Sequence, residues 1–302
     1  MQRILAIFMN NLGHILSISI VNFNTGEYLL RCLRSLENLK NEVEFDIWVI
    51  DNASTDGSLQ KAKQEYPSFK YIENKENFGF GKAQNIALYQ IKTEYILLLN
   101  PDTELSAGVL PTMLKFMSVQ KTVGAASCKL ILGNGELDWA AHRGFPTPVA
   151  AFRYYFLGDD SKYHMSGKSM EKAHEVDAIS GSFFMTRKFV LEKTGYFDEE
   201  FFMYGEDLDL CYRIKEAGFK IMYIPQVSAV HHKGISSGLK KMTENLSTAD
   251  LETRVRSLNA FYFAMKIFYK KHLEKKYPDY INKLVYLGID LKWKMAKRKM
   301  NV

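Results

Sequence analysis

Three features of the 302-residue sequence predict an α/β protein, a Rossmann-like, mostly parallel sheet flanked by helices with a helical extension at the C-terminal end. Strand-like and helix-like segments alternate through the first hundred residues. An apolar run, Tyr95-Ile96-Leu97-Leu98-Leu99, stops abruptly at Asn100-Pro101-Asp102-Thr103-Glu104. Similar polar clusters recur where other strands or helices should meet the same sheet edge. A continuously apolar run fits a strand covered on both faces. Pro101 has no N–H for a ladder, so that strand ends near Asn100. Ligands of open α/β sheets bind outside the carboxyl ends of the strands, where Asp102 would stand. Beside an oxygen donor such as Asn100 or Glu104, its carboxylate could anchor a hard divalent cation completed by phosphate and water.

Residues 15–23 (ILSISIVNF) are rich in β-branched side chains and make the first strand. Leu29, Leu30, Leu33 and Leu36 follow at helical spacing. Residues 45–50 (FDIWVI) make a second strand ending at Asp51-Asn52, and Ser54, Thr55 or Asp56 can cap a helix from Ser58. A short third strand spans 69–72. After Asn77-Phe78-Gly79-Phe80-Gly81-Lys82, a helix through Ala83, Ile86, Ala87 and Tyr89 leads to the strand at 95–99. A helix at 111–119 and a strand at 124–132 come next, and then the pattern loosens.

Residues 153–174, polar and bearing Gly158 and Gly167, read as a mobile excursion in the manner of a lid. A strand is expected at 176–185. Glu206 and Asp207 fall in the first turn of a helix that Gly218 stops, where carboxylates meet the positive end of the dipole. Two short strands, 221–224 and 227–230, lead into His231-His232. From about Thr248 the chain reads as helical and basic.

Hydrophobic content of 47% and charged content of 25% are those of an ordinary globular protein. No stretch approaches the roughly 18–20 apolar residues of a membrane-spanning helix. Asn10, Asn11, Gly13 and His14 interrupt the apolar start, which has only Arg3 as a basic lead and no small-residue cleavage site. It therefore does not read as a signal peptide. Cys32, Cys128 and Cys211 are scattered in apolar surroundings, which suits reduced core thiols in the cytoplasm. The net charge of +6 is uneven: from Lys240 onward 15 Lys and Arg face 6 Asp and Glu. The basicity belongs to the tail.

Polar clusters stand at five strand ends or helix starts: Asn22, Asp51, Asn100 with Asp102, Glu206 with Asp207, and His231 with His232. Singly each has an ordinary explanation, as a turn, a helix-start charge or a solvated histidine. Their recurrence at one sheet edge is what those explanations leave over. The segments ISIVNFNTGEYLLRCLRSL, VIDNASTDGS, NKENFGFGKAQNIAL, LLLNPDTEL, ISGSFFMTRK, FDEEFFMYGEDLDLCYRIKEAGFK and VHHKGISSG resemble, in order and spacing, the family 2 inverting glycosyltransferases of GT-A fold. Within that family they are most similar to the rhamnosyltransferase-like branch. The resemblance covers roughly residues 15–240, leaving a lead at 1–14 and a basic helical extension at 241–302.

What the resemblance implies can be set out residue by residue. Asp51 would accept from the imide N–H of a uracil or thymine, which an acceptor-only carboxylate suits. Asn22 and Asn24 would border that base. Asn77, Gly79 and Lys82 would run beside the donor, glycine allowing close backbone approach. Asp102 would hold Mg²⁺ or Mn²⁺ on the donor diphosphate, with Asn100 replacing the first Asp of the family's Asp-X-Asp element. His232, or His231, would add a metal or diphosphate contact. Asp207 would be the general base, with Glu206 beside it.

The expected reaction moves a sugar, L-rhamnose from dTDP-rhamnose, to a saccharide or polyprenyl-linked acceptor in bacterial surface polysaccharide synthesis. A UDP-sugar donor, or a non-catalytic sugar-nucleotide-binding protein, is the alternative. A nucleotidyltransferase would open with a glycine-rich, arginine-bearing loop, whereas this chain has Val21-Asn22-Phe23-Asn24-Thr25-Gly26. Adjacent Glu206 and Asp207 cannot easily flank a sugar ring as a glycoside hydrolase requires.

In the tail, Leu258, Tyr262, Met265 and Tyr269 can share one helical face among lysines, and Lys292, Trp293, Lys294, Lys297, Arg298 and Lys299 follow. Such a surface suits peripheral contact with the inner face of a cell membrane. The competing expectation is that the face packs on the catalytic domain or forms a homodimer. No nucleic-acid motif accompanies the charge, so no nucleic-acid partner is expected.

Overall fold

The computed structural model describes residues 14–139, 142–232 and 249–300. In it β1 (Leu16–Asn22), β2 (Phe45–Asp51), β3 (Lys70–Glu73) and β4 (Tyr95–Leu99) lie parallel in the order β3-β2-β1-β4. The connections are α1 (Glu27–Glu37), α2 (Ser58–Glu65) and α3 (Phe80–Leu88). Every residue of β1 and β4 is buried, as helices on both faces require. Helix α1 turns Leu29, Leu30, Leu33 and Leu36 inward. At the start of α2, Asp56 Oδ1 accepts the Ser58 N–H at 3.0 Å, satisfying one of the helix's unpaired donors. The chain steps outward from β1 to β2 and β3, then returns to the other side of β1 as β4. That reversal opens a crevice at the carboxyl ends of β1 and β4.

The second half adds β5 (Thr103–Leu105), α4 (Val109–Val119), β6 (Val123–Leu132), α5 (Pro148–Phe156), β7 (His174–Val176), β8 (Phe183–Arg187), α6 (Lys188–Thr194), α7 (Glu206–Glu216), β9 (Lys220–His231), α8 (Leu251–His272) and α9 (Asp279–Lys299). The sheet continues from β4 as β8-β6-β9-β5, with β7 also on β9. Among the described residues, only the β6–β9 pairing in this half is parallel. Side chains alternate across the strands: Leu97 and Leu99 join one apolar layer, Ile96 and Leu98 the other.

Several expectations change. Residues 176–185 are not one strand. Between β7 and β8 the N–H of Ala178 bonds Arg143 O (2.9 Å) and that of Gly181 reaches Asp207 Oδ2 (3.4 Å), so this backbone serves the site and not the ladder. Conversely 221–224 and 227–230 merge into β9. Pro225 is absorbed where the register jumps from Cys128↔Ile224 to Lys129↔Ser228, the kind of irregularity that tolerates proline. Thr103–Leu105 is a strand on β9, not only a turn. The excursion at 153–174 begins inside α5, where Thr147 accepts from Ala150 N–H and Pro148 opens the first turn. The lead at 1–13, the 240/241 boundary and the end of VHHKGISSG lie outside the described residues. All three cysteines are buried and free.

The tail is built into the core. Ala264, Phe268, Tyr269 and Leu273 join the layer that contains Leu210 and Ile214 of α7. Asp209, fully buried on α7, accepts from His272 Nε2 at 2.7 Å and from Arg213 Nη2 at 2.6 Å. Burial pushes the Asp209 carboxyl up, but the His272 hydrogen bond and the Arg213 charge outweigh it and hold it down at about 2. Helix α9 returns along α8 through Tyr269 Oη to Asn282 (2.6 Å), Lys266 to Asp290 (2.5 Å) and Trp293 Nε1 to Asn259 (3.0 Å). The face expected for a lipid surface is therefore turned inward. Leu258 and Tyr269 are buried, and Tyr262 and Met265 line a cleft.

Candidate active site

A cleft of about 1890 Å³ opens at the carboxyl ends of β1 and β4. Asn100 and Asp102 after β4, His231 at the end of β9, and Glu206 and Asp207 at the start of α7 all line it. Segments distant in sequence meet here because β9 pairs with β5, directly after Asp102. The Thr103↔His231 register sets that histidine beside the carboxylate.

Asp102 is 7% exposed, and its Oδ1 is buried without a hydrogen-bond partner. His231 Nε2 lies 3.4 Å from that oxygen, close enough for charge attraction but lacking hydrogen-bond geometry. On its other side, His231 Nδ1 meets Asp138 Oδ2 at 2.8 Å. Burial lowers the His231 pKa, but Asp102 and Asp138 outweigh it and hold it at about 9. Without a cation the ring thus carries a proton toward each carboxylate; a cation on Asp102 would displace the Nε2 proton and leave Asp138 orienting the ring as a ligand.

Among the described residues no group of three His, Cys, Asp or Glu side chains is gathered for a metal. Asp102 and His231 nonetheless fit a cation that completes its shell with diphosphate and water. His232 does not join them. Neighbouring residues at a strand end point to opposite sides, and its Nε2 goes to Glu104 at 2.7 Å, with the ring on Tyr28. Glu104 is also held by Arg31 at 2.7 Å, so it too is turned from the cleft.

Asp207 Oδ2 accepts from Arg143 Nη2 at 2.6 Å and its Oδ1 from the Leu208 N–H at 2.8 Å. Glu206 Oε2 is buried with no partner. Burial first, then the charge of Asp207, holds the Glu206 carboxyl well above the usual carboxylate range. Two adjacent carboxyls thus sit in unlike surroundings, one on a guanidinium and one favouring its protonated form.

The donor-side residues divide. Asn22 and Asp51, level with each other at the ends of β1 and β2, join through a 2.7 Å hydrogen bond and are buried beneath the cleft wall. Ser54 N–H bonds Asp51 Oδ2 at 2.9 Å, and Asn24 accepts from Thr55 N–H at 2.8 Å. None of Asn22, Asn24 and Asp51 lines the cleft, whereas Asn52 and Asn77 do. Gly79 also lines it, at φ +83°, and a Cβ there would lie 2.1 Å from Phe202 O. Its smallness serves a close approach to the chain's own backbone, sealed by Phe80 N–H to Phe202 O at 2.8 Å. Lys82 is exposed, over the Phe78 ring, and stays outside. Sequence reading missed Asp138, Arg143 and Arg256, which sit in no motif. Arg256 of α8 lies 5.4 Å from the Phe23 ring and 5.6 Å from that of Phe202, at the cleft.

Residues 17–195 match the model of the family described as "Glycosyl transferase family 2". The chain belongs to glycosyl transferase family 2. It is 27% identical over 241 residues to "N-acetylglucosaminyl-diphospho-decaprenol L-rhamnosyltransferase" of Mycobacterium tuberculosis, covering 74% of this chain and 78% of that one. To "Rhamnosyltransferase WbbL" of Escherichia coli it is 29% identical over 222 residues, with 71% and 82% covered.

Among solved structures, the mannosyltransferase PcManGT of Pyrobaculum calidifontis, in complex with GDP-Man and Mn²⁺, aligns with TM-score 0.55 at 17% identity, over 94% of this chain and 75% of that one. S. aureus TarS 1–349 in complex with UDP gives 0.53 at 20% identity, over 88% and 69%. The fold is GT-A, as the family 2 resemblance implied, and the chain is a glycosyltransferase.

Proposed function

We propose that this family 2 glycosyltransferase transfers L-rhamnose from dTDP-L-rhamnose to a lipid-linked saccharide, with inversion, in bacterial surface polysaccharide synthesis at the inner face of the membrane. One observation carries the chemistry: Asp102 and Asp207, from opposite halves of the chain, line one cleft at the switch point of the sheet. The names of the two rhamnosyltransferase relatives support the sugar, and that of the mycobacterial relative supports the diphospho-polyprenol acceptor.

In the proposed reaction the acceptor oxygen bonds to the anomeric carbon and loses its proton to Asp207. The bond from that carbon to the diphosphate breaks on the opposite face, and dTDP leaves with the electron pair. A carboxylate base in hydrogen-bond reach contributes roughly 10²–10⁴-fold. Arg143 and the Leu208 N–H fix the orientation of Asp207. Protonated, Glu206 adds no second negative charge beside it. A divalent ion, held by Asp102 and His231, would supply Lewis-acid neutralisation of the leaving diphosphate.

The deciding assay mixes the protein with Mn²⁺, a lipid-linked acceptor, and either dTDP-rhamnose or UDP-sugars, and measures nucleoside diphosphate release. Acceptor-dependent dTDP release is expected. UDP release instead would reassign the donor. Tight nucleotide binding with no release from any donor would point to a non-catalytic binding protein.

A further inference from the structure

Although the α8 face is spent on the core, two other faces are apolar and exposed among the described residues. Along α9, Tyr280, Leu284, Leu287, Leu291 and Met295 follow at three- and four-residue spacing and are each more than half exposed. Such spacing places them in one stripe down a helix about 30 Å long. On α5 and just beyond it, Val149, Phe152, Phe156 and Leu157 are exposed by 54–74%. Lys292 Nζ of α9 lies 4.1 Å from the Tyr155 ring of α5, so the two helices are neighbours despite their separation in sequence. An exposed apolar surface shared by two helices calls for an occupant.

Charge identifies the occupant. From Asp279 to Met300 the chain carries six Lys and Arg against Asp279 and Asp290. Asp290 is already paired with Lys266. Lys283 and Lys294 fall on one flank of the apolar stripe and Lys292 and Lys299 on the other, with Arg298 at its end. Exposed Tyr280 adds an aromatic ring of the sort that settles at a lipid–water boundary. A second protein copy bearing the same surface would set these like charges against each other. Among the described residues no helix is long and apolar enough to cross a membrane.

We infer that the rim formed by α5 and α9 docks on an anionic lipid bilayer. Val149, Phe152, Phe156 and Leu284 are both exposed and part of the cleft wall, so the cleft opens within that rim. Docked, the enzyme turns its mouth toward the lipid surface. A polyprenyl-linked acceptor then presents its sugar to the cleft while its chain remains in lipid. This consequence for the acceptor rests on the proposed function, whereas the docking does not.

The test uses the full chain and its Leu157→Glu/Leu287→Glu/Leu291→Glu variant, none of these positions lining the cleft. Each is spun with vesicles of phosphatidylcholine, with or without phosphatidylglycerol. The wild type should sediment with the anionic vesicles and at least about tenfold less with neutral ones or in high salt. The variant should partition at least about tenfold more weakly, while keeping the wild-type thermal shift with dTDP and Mn²⁺ as proof of folding. Equal sedimentation of variant and wild type would overturn the inference. So would a wild type that ignores anionic vesicles, or a wild-type dimer that the variant loses without any vesicle binding. Anionic-vesicle binding without sugar transfer from any donor would sink the functional reading and leave the docking surface standing.

Discussion

Arg143 gives one N–H to Asp207 Oδ2 at 2.6 Å, and the two side chains are 14% and 13% exposed. A guanidinium so placed leaves the carboxylate little rotational choice. Asp207→Asn should cut transfer by roughly 10²–10⁴-fold and leave nucleotide binding intact, as read by calorimetry with dTDP and Mn²⁺. Arg143→Met should lower kcat with little change in donor affinity. Loss of transfer in Glu206→Gln, together with full activity in Asp207→Asn, would assign the base to the other residue.

Asp102 and His231 form the second testable pair. Asp102→Asn should abolish the Mn²⁺-dependent thermal shift with dTDP. Asp138→Asn should weaken apparent Mn²⁺ affinity by roughly 10–100-fold, because the residue orients His231 without touching the cation. His232→Ala should leave Mn²⁺ affinity near wild type, its ring being committed to Glu104. Metal titrations of the three variants check this order.

Glu206 predicts a pH dependence of stability. Its pKa in the folded chain is raised by burial and by Asp207. Stability tied to such a group is complete below the ordinary carboxylate range and is lost as pH rises through the raised value. The Tm should therefore decline from weakly acidic to mildly alkaline buffer, and Glu206→Gln should flatten the decline. Parallel slopes for variant and wild type would contradict it.

Gly79→Ala combines a left-handed φ with a Cβ that would sit 2.1 Å from Phe202 O. The expected loss is about 1–3 kcal/mol, read from urea unfolding. Donor affinity should fall as well, because the shift moves Asn77, whose Oδ1 accepts the Gly79 N–H at 2.9 Å.

The parallel half of the sheet was legible in the sequence because its signals are local: apolar strands, helical leucine spacing and a proline stop after Leu99. Asp102, Glu206 and Asp207 were legible for a related reason, since they stand where such elements end. Arg143 and Asp138 were not. Each enters the site through a long-range partner, Asp207 or His231, and no neighbouring residue announces either contact. The choice between His231 and His232 depended on strand register, which adjacent identical residues cannot reveal. For α8, the helical face was read correctly and its destination was left between lipid and the catalytic domain. Leu258 and Tyr269 look alike whether they meet lipid or protein, and only the buried Asp209, waiting for His272, distinguishes the two.

That buried aspartate bears on how the chain is made. Asp209 and His272 are 63 positions apart, so α7, which begins with the residues of the proposed base, emerges from the ribosome well before its ion-pairing partner. With synthesis at about 5–20 residues per second, the nascent catalytic half waits several seconds with a charged, half-covered helix. Ribosome-stalled chains ending before Leu251 should be open to protease around α7, and release of the last fifty residues should close that window.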